Sequence, residues 1–368
     1  MISLEKGTVH KICWERKGMQ CLEVSLPGRS AREKALNYTC LSGKIEVGQG
    51  VHLNTTAVKL GLGSGGYHFV LPGPASKTGG GTALLQAQGH IIKLRYTPLQ
   101  LRVKTYEEIL AEKHPDRALS KYPGLGNTPV VIGELHSMVA PFVLSFSRKF
   151  PTKRIVYIMT DTASLPLHLS KAISRLESDH LLAGTITCGH AFGGDLETVN
   201  VYSALMAAKE ELAADVILLV PGPGVVGTAT RYGFSGIEQG EHIDRVNNLK
   251  GVPVFIPRIS FADKRSRHYG LSHHSITSLE EIALTRACLP LPIYSKNKRR
   301  FLFRQLKEAG LPKKHRLVLI KQPPLQELEH FKGLETMGRN VKQDPEFFTA
   351  INAAAFFTGK LLKPSFTF

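Results

Sequence analysis

Between Leu182 and Gly236 the chain alternates apolar runs with glycine-rich turns. Leu182 to Cys188 is apolar and β-branched, as a buried strand should be. Over 197–212 the apolar residues Val201, Leu205, Ala208 and Leu212 recur at helical spacing, with Asp195 or Thr198 available as a cap. Val216 to Val220 is a second wholly apolar strand. Strand, helix and strand in that order predict a parallel βαβ unit, because parallel strands covered on both faces read as unbroken apolar runs. The same grammar places further strands at 130–133, 154–160, 252–257 and 317–320. Helices are expected at 137–150, 166–176, 240–249, 278–288, 294–310 and 344–358. Ser278 with Glu281 offers a capping box for the fourth of these. The pattern predicts that strands 155–160, 182–187, 216–220 and 252–256 share one parallel sheet. Right-handed crossovers would then bring their carboxyl ends to one rim, where open α/β sheets bind ligands.

Residues 5–104 follow a shorter rhythm. Gly7–Ile12, Cys21–Val24 and Lys34–Tyr38 alternate, and SGKIEVGQGVHL reads as strand, turn and strand. GGYHFVL and HIIKLRYTPLQLRVKT add more, as in a small barrel or sandwich. The fold expected is therefore α/β. An N-terminal small β-barrel over 1–105, OB-like or of the barrel-sandwich kind, is followed by a linker at 106–128. A doubly wound, mostly parallel αβα sandwich of Rossmann-like type fills 129–368. The glycine-rich stretch 60–82 reads as hairpin turns with a mobile tip at 72–82, or as a loop reaching towards the α/β domain.

Composition narrows the setting. The 368 residues suffice for two or three domains. There is no 18-residue apolar run and no apolar leader behind the charged N-terminus, so a cytoplasmic protein without a membrane segment is expected. Five cysteines without a C-x-x-C imply neither a disulfide framework nor a zinc knuckle. Net charge is +17, unevenly spread: +9 over 1–105, −3 over 106–251 and +11 over 252–368. Such a balance favours anionic partners, either small molecules or nucleic acid. Basic and aromatic residues interleave at 294–310, where Lys298, Arg299 and Arg300 precede Phe301 and Phe303. Self-association is left open.

The candidate chemistry lies on the turns that leave the strands. These carry His136; Asp161; His190 with Gly193, Gly194 and Asp195; a turn with Gly222, Gly224, Gly227, Thr228 and Thr230; and a polar loop. That loop, RISFADKRSRHYGLSHHS over 258–275, holds Arg258, Asp263, Arg265, Arg267, His268, His273 and His274. Gly222 to Gly227 fits G-x-G-x-x-G, but its proline and the poor helix after it favour a tight turn or an anion cradle over a dinucleotide site. Neither a Walker motif nor a G-x-S-x-G elbow occurs. The segments TITCGHAFGGDLETVNVYSALMAAK, PGPGVVGTATRYGFSGIEQG, RISFADKRSRHYGLSHHS and ALNYTCLSGKIEVGQGVHLNTTAVKLGLGSGGYHFVL resemble a family of uncharacterised bacterial proteins. That family, mostly from Gram-positive spore-formers, is known only as a domain of unknown function. The resemblance covers roughly residues 5–360 and implies no activity.

From the residues, the first expectation is an enzyme acting on an anionic small molecule, between the rim and the loop at 60–66. His190, Asp195 and His273 are its expected acid–base residues. His190, Asp195, His273 and His274 are the expected ligands of a divalent metal, since neutral imidazole and carboxylate suit such ions. Gly193, Gly194, Gly222, Gly224, Gly227, Thr228, Arg258, Arg265, Arg267 and His268 are expected to bind the anion. At least three of the four metal candidates should share one pocket. The alternative is a nucleic-acid-associated protein that uses its basic barrel and the basic C-terminal segment.

Overall fold

A computed structural model of the chain describes residues 2–61, 64–73, 89–321, 325, 328, 331 and 333–363. Most of the tip expected at 72–82 and part of the loop at 60–66 lie outside these residues. The chain divides into two compact units, Met1–Ile109 and Leu110–Phe368.

The first unit contains a closed barrel of five strands. These are β1 (Leu4–Arg16), β2 (Met19–Ser25), β3 (Glu33–Tyr38), β4 (Gly50–Asn54) and β5 (Tyr67–Leu71), in the order β1-β2-β3-β5-β4. β3 and β5 run parallel; every other pair is antiparallel. Val9, Leu22, Val24, Ala35, Val51, Leu53 and Val70 fill the interior. Because β1 pairs with both β2 and β4, the barrel is tight at Gly7, where a Cβ would lie 2.9 Å from the Ser25 carbonyl. The strand expected within SGKIEV does not form: Thr39–Ser42 is a helical turn and 43–49 is irregular. Two buried amides take the backbone groups a ladder would have used. Gln20 bonds both N and O of Ile45, and Asn37 donates to the Gly43 carbonyl. Residues 91–103 form a separate hairpin, β6 (Ile91–Lys93) with β7 (Leu101–Val103).

The second unit is built on eight strands that all run the same way. They are β8 (Pro129–Gly133), β9 (Ile155–Thr160), β10 (Gly184–Cys188), β11 (Leu196–Thr198), β12 (Val216–Pro221), β13 (Val252–Ile256) and, after a short hairpin of β14 (Ile259–Ser260) with β15 (Gly270–Leu271), β16 (Cys288–Pro292) and β17 (Arg316–Ile320). The order is β11-β10-β9-β12-β8-β13-β16-β17, and each pair is parallel. The four strands expected in one parallel sheet are there together.

Two strands depart from the expectation. Glu197 and Thr198, read as the start of a helix, belong instead to the edge strand Leu196–Thr198 beside β10. The helix runs instead from Val201 to Glu210, and its cap is Asn200, which accepts from Ser203 N, not Asp195 or Thr198. Cys288, read as a helix end, opens the inner strand β16. Prolines argue against an inner strand because they lack ladder donors. Here β16 pairs with β13 at one position only, Val254 with Cys288, so the prolines interrupt little. The order is also not the 3-2-1-4-5-6 of dinucleotide-binding domains, since β12 is inserted between β8 and β9.

Helices cover both faces. Val139–Lys149 packs against Pro345–Leu361 and Lys171–Ser178; Glu238–Asn248 packs against Val201–Glu210 and 278–282. Pro345–Leu361 and Glu238–Asn248 both touch β8, one from each side. The chain thus leaves β8 towards one face and leaves β12 and β13 towards the other. Outward connections that diverge in this way open a crevice at the carboxyl ends of these strands. Among the described residues no helix is long and apolar enough to cross a membrane.

The first face is packed closely enough to test. Gly359, in the last turn of the C-terminal helix, lies against Phe150, and a Cβ would come within 1.9 Å of that ring. Alanine normally favours a helix over glycine by about 1 kcal/mol. Gly359→Ala should nonetheless destabilise the fold by about 1–3 kcal/mol through overpacking. Urea unfolding measures it; an unchanged or higher midpoint would show that Phe150 moves aside without strain.

Candidate functional site

The crevice at β12, β8 and β13 is where the polar loop 258–275 leaves β13. The hairpin of β14 and β15 frames its first part and lifts 261–269 into a tip. Helix Lys296–Glu308 fixes that hairpin: Gln305 accepts from Leu271 N and donates to the Tyr269 and Leu271 carbonyls. Phe261, Tyr269 and Phe301 meet edge to face, with centroids 5.2–6.1 Å apart. Gly270 has φ +75° and allows this contact, since a Cβ would lie 2.7 Å from the Phe301 ring.

Inside the tip, Asp263 is buried and holds three guanidinium groups. Arg265 binds it through two hydrogen bonds of 2.9 and 2.8 Å; Arg258 and Arg339 approach at 3.4 and 3.5 Å. The Arg265 hydrogen bonds, helped by the charge of Arg258, hold the Asp263 carboxyl far below the usual range. Arg339 also pairs with Asp344, whose two carboxylate oxygens share the hydrogen bond donated by the Ser260 hydroxyl. Arg258 and Arg265, expected to grip an anionic ligand, are therefore engaged by Asp263. Arg267 is exposed and has no hydrogen-bond or ion-pair partner among the described residues.

Beside this network three imidazoles meet. His268, His273 and His274 each offer a ligand atom within 4.8 Å of the others. His268 is held by Ser272 Oγ at 2.8 Å from its Nδ1. Ser272 caps a helix that starts at His273, so His273 and His274 occupy its first turn. Neighbours in a strand would face opposite ways; here the helical turn and the nearby His268 bring all three rings together. The His274 ring stacks on Phe234 at 3.9 Å and lies against Gly227. Among the described residues His273 Nε2 is buried without a hydrogen-bond partner. Burial, then the charge of Arg258, pushes His268 down to about 3. Burial and the adjoining His273 do the same to His274. Burial, then Arg267, lowers His273. All three are neutral near pH 7.

His190 and Asp195 are not members of this cluster. Gly193 and Gly194 let the chain turn back along β10, and Leu196 pairs beside Ile186. That places Asp195 opposite Thr185, at the amino end of the strand, where it accepts from Thr185 N and Oγ1 at 2.9 Å each. The expectation that it faces the rim is corrected accordingly. Gly193 N donates to buried Glu197, and Gly194 packs on the backbone of 186–187, so both shape the turn. His190 belongs to a turn closed by Asp161, whose carboxylate accepts from its backbone N at 2.8 Å.

The glycine turn after β12 divides in two. Gly222 packs on the Ser164 carbonyl. Gly224 helps line a cavity of about 390 Å³ with His136, Ser137 and Leu334. His136 is half-buried between Ser170 Oγ, Tyr157 and the Pro221 carbonyl, and desolvation there pushes it down to about 4. The Thr228 hydroxyl, expected to cradle an anion, is used within its own loop by Thr230 and the Gly233 carbonyl.

A second pocket, of about 620 Å³, is lined by His273, Arg267, Arg231, Thr230, Glu280 and Gln305, among others. Arg231 is paired there with Glu280 and Glu281.

Glu134 is the site residue that sequence reading missed. It directly follows the apolar strand β8, and that lone acid at a carboxyl end was the available signal. Ser275 and Ser278 both donate to its carboxylate. Ser278 therefore does not start a helix: the helix begins at His273, and 278–282 continues it as a π-helical turn. Burial pushes Glu134 up to about 7, against the Ser275 and Ser278 hydrogen bonds and the Arg258 charge.

Fold and site define a class: an α/β protein with an N-terminal five-stranded barrel and a histidine cluster at the carboxyl edge of an eight-stranded parallel sheet. The chain belongs to the family described as protein of unknown function (DUF3866), whose model matches residues 34–355. No curated protein matches it.

The Glu134 carboxyl gives a pH signature. Its folded value lies above the ordinary 4.5, so the folded state keeps a proton that the unfolded chain releases. Its contribution to stability is present at low pH and is lost as pH rises from about 4.5 to about 7. Glu134→Gln removes that loss. Its stability relative to wild type should improve by up to about 3 kcal/mol between pH 5 and pH 8, at 1.36 kcal/mol per unit. Thermal melts across that range test it, and a difference independent of pH would refute the assignment.

Proposed function

We propose that this protein is an enzyme acting on an anionic small molecule at the carboxyl-end rim of its parallel sheet, by metal-assisted or acid–base chemistry of the hydrolase or lyase kind. One observation carries the reading. A pocket of about 620 Å³ has on its wall both a neutral histidine, whose buried Nε2 has no hydrogen-bond partner among the described residues, and the cation Arg267, unpaired among them. The cation would hold an anionic group by charge-assisted hydrogen bonds. The imidazole, neutral near pH 7, would accept a proton or bind a metal. Asp263 supports this role indirectly: by engaging Arg258 and Arg265 it holds the loop still and leaves Arg267 to the ligand.

Inorganic phosphate, pyrophosphate and small phosphate monoesters are the first probes. At least one should raise the melting temperature of the wild type. Arg267→Ala should weaken that ligand about 10–100-fold, as expected for loss of a hydrogen bond to a charged group. His273→Asn should abolish turnover while costing little stability. If no anion shifts the melt, or Arg267→Ala binds as the wild type does, the reading is wrong.

A second reading is nucleic-acid association through the barrel. Tyr38 and Phe69 stack with centroids 6.3 Å apart, and Arg16 lies over Trp14 at 4.7 Å. All four side chains are partly exposed on a unit rich in positive charge. Aromatic faces beside cations form the kind of platform on which bases stack. The C-terminal basic segment contributes less, because Lys298 is paired with Glu346. Fluorescence anisotropy with random oligonucleotides should give at most weak binding. Submicromolar, salt-sensitive affinity lost in Phe69→Ala would reverse the ranking.

A further inference from the structure

We propose that His268, His273 and His274 form a mononuclear site for a divalent transition-metal ion, with a coordination position left for water or an anionic ligand. The proposal rests on the reading of the rim as an active site and goes further by assigning its cofactor.

Geometry comes first. Three ligand atoms lie within 4.8 Å of one another, and the ring centroids are 4.3, 4.9 and 5.0 Å apart. A tetrahedral ion with metal–nitrogen bonds of about 2.0–2.1 Å would hold imidazole centroids roughly 5 Å apart. The rings need small adjustments to converge on one ion.

The surroundings fit the same role. Ser272 Oγ already accepts from His274 N, and with its remaining lone pair it can accept from His268 Nδ1–H. In that tautomer the lone pair lies on Nε2, the arrangement that outer hydrogen bonds hold in metal-bound histidines. Stacking on Phe234 orients His274. Among the described residues His273 Nε2 is buried and unsatisfied, a state that ordinarily destabilises a fold and that a metal–nitrogen bond would end.

The donor set selects the ion. Three imidazoles without a carboxylate suit zinc, iron, cobalt, nickel or copper and do not suit magnesium or calcium. Three histidines with one open position are the arrangement of catalytic zinc sites. Arg258, Arg265 and Arg267 surround the cluster, and Asp263 offsets part of their charge. The positive remainder, together with the ion, favours an anion at the open position. The site thus links the metal to the anionic substrate class proposed above.

The test uses tag-free, full-length protein stripped with a chelator and dialysed. Zn(II) is titrated by calorimetry and Co(II) by visible absorption. One ion per chain is expected, with the intense Co(II) bands of a four- or five-coordinate site and a higher melting temperature. His268→Asn, His273→Gln and His274→Asn should each weaken Zn(II) at least as much as the loss of an outer-shell partner does, about 10–100-fold. His90→Asn, an exposed histidine of the first unit, should leave binding unchanged. Far-UV circular dichroism confirms that each variant is folded. The wild-type melting shift reports on the site even where a variant fails to fold. Absence of Zn(II) and Co(II) binding by the wild type, or wild-type Zn(II) affinity retained in folded His268→Asn and His273→Gln, overturns the proposal. If metal fails to bind while phosphate still protects the protein through Arg267, only the metal assignment falls. If neither binds, the active-site reading falls with it.

Discussion

Strands that all run the same way can be joined only by crossovers, and those crossovers must cover both faces of the sheet. This constraint governs the second unit. It makes the strands almost wholly apolar, from Val130 to Ile132 and from Val216 to Val220, because no face meets water. It also sends every outgoing loop to one edge. Polar residues excluded from the strands collect there, and the divergence of the chain on either side of β8 opens the crevice in which Glu134, loop 225–234 and loop 258–275 meet.

Electrostatics then decide what that edge can do. Four arginines, 258, 265, 267 and 339, lie in or beside one loop, an arrangement that would repel itself without Asp263. Breaking a buried charge cluster typically costs about 3–5 kcal/mol, because the surviving charges are left unpaired. Asp263 thus holds the hairpin tip together, and the tip in turn holds His268 against His273 and His274. Burial and the neighbouring cations deny the three imidazoles a proton, which leaves their lone pairs available. The conditions that make the loop stable are those that suit it to bind a ligand.

Much of this was legible in the chain. The barrel-then-sandwich order, the four parallel strands and the polar loop after β13 all follow from local patterns. His268, His273, His274 and Arg267 were visible candidates. What misled was local grammar overridden at a distance. Ser278 and Glu281 spell a capping box, but Ser278 donates to Glu134, which is 144 residues away in sequence. Asp195 follows a glycine turn at a carboxyl end, but the turn doubles back to build an edge strand. Cys288 closes the expected helix 278–288, but it opens strand β16 instead.

The sequence by itself determined the element types, the direction of the main strands and the edge at which chemistry could gather, because hydrophobic periodicity and turn residues act over a few residues at a time. Only the tertiary structure decided which of the rim residues meet. It brought His268 beside His273 and His274 and buried Glu134 against Ser275 and Ser278. It engaged Arg258 and Arg265 with Asp263 and left Arg267 to face a pocket. Those outcomes depend on strand order, and order depends on packing between segments far apart in the chain, above all on the insertion of β12 between β8 and β9.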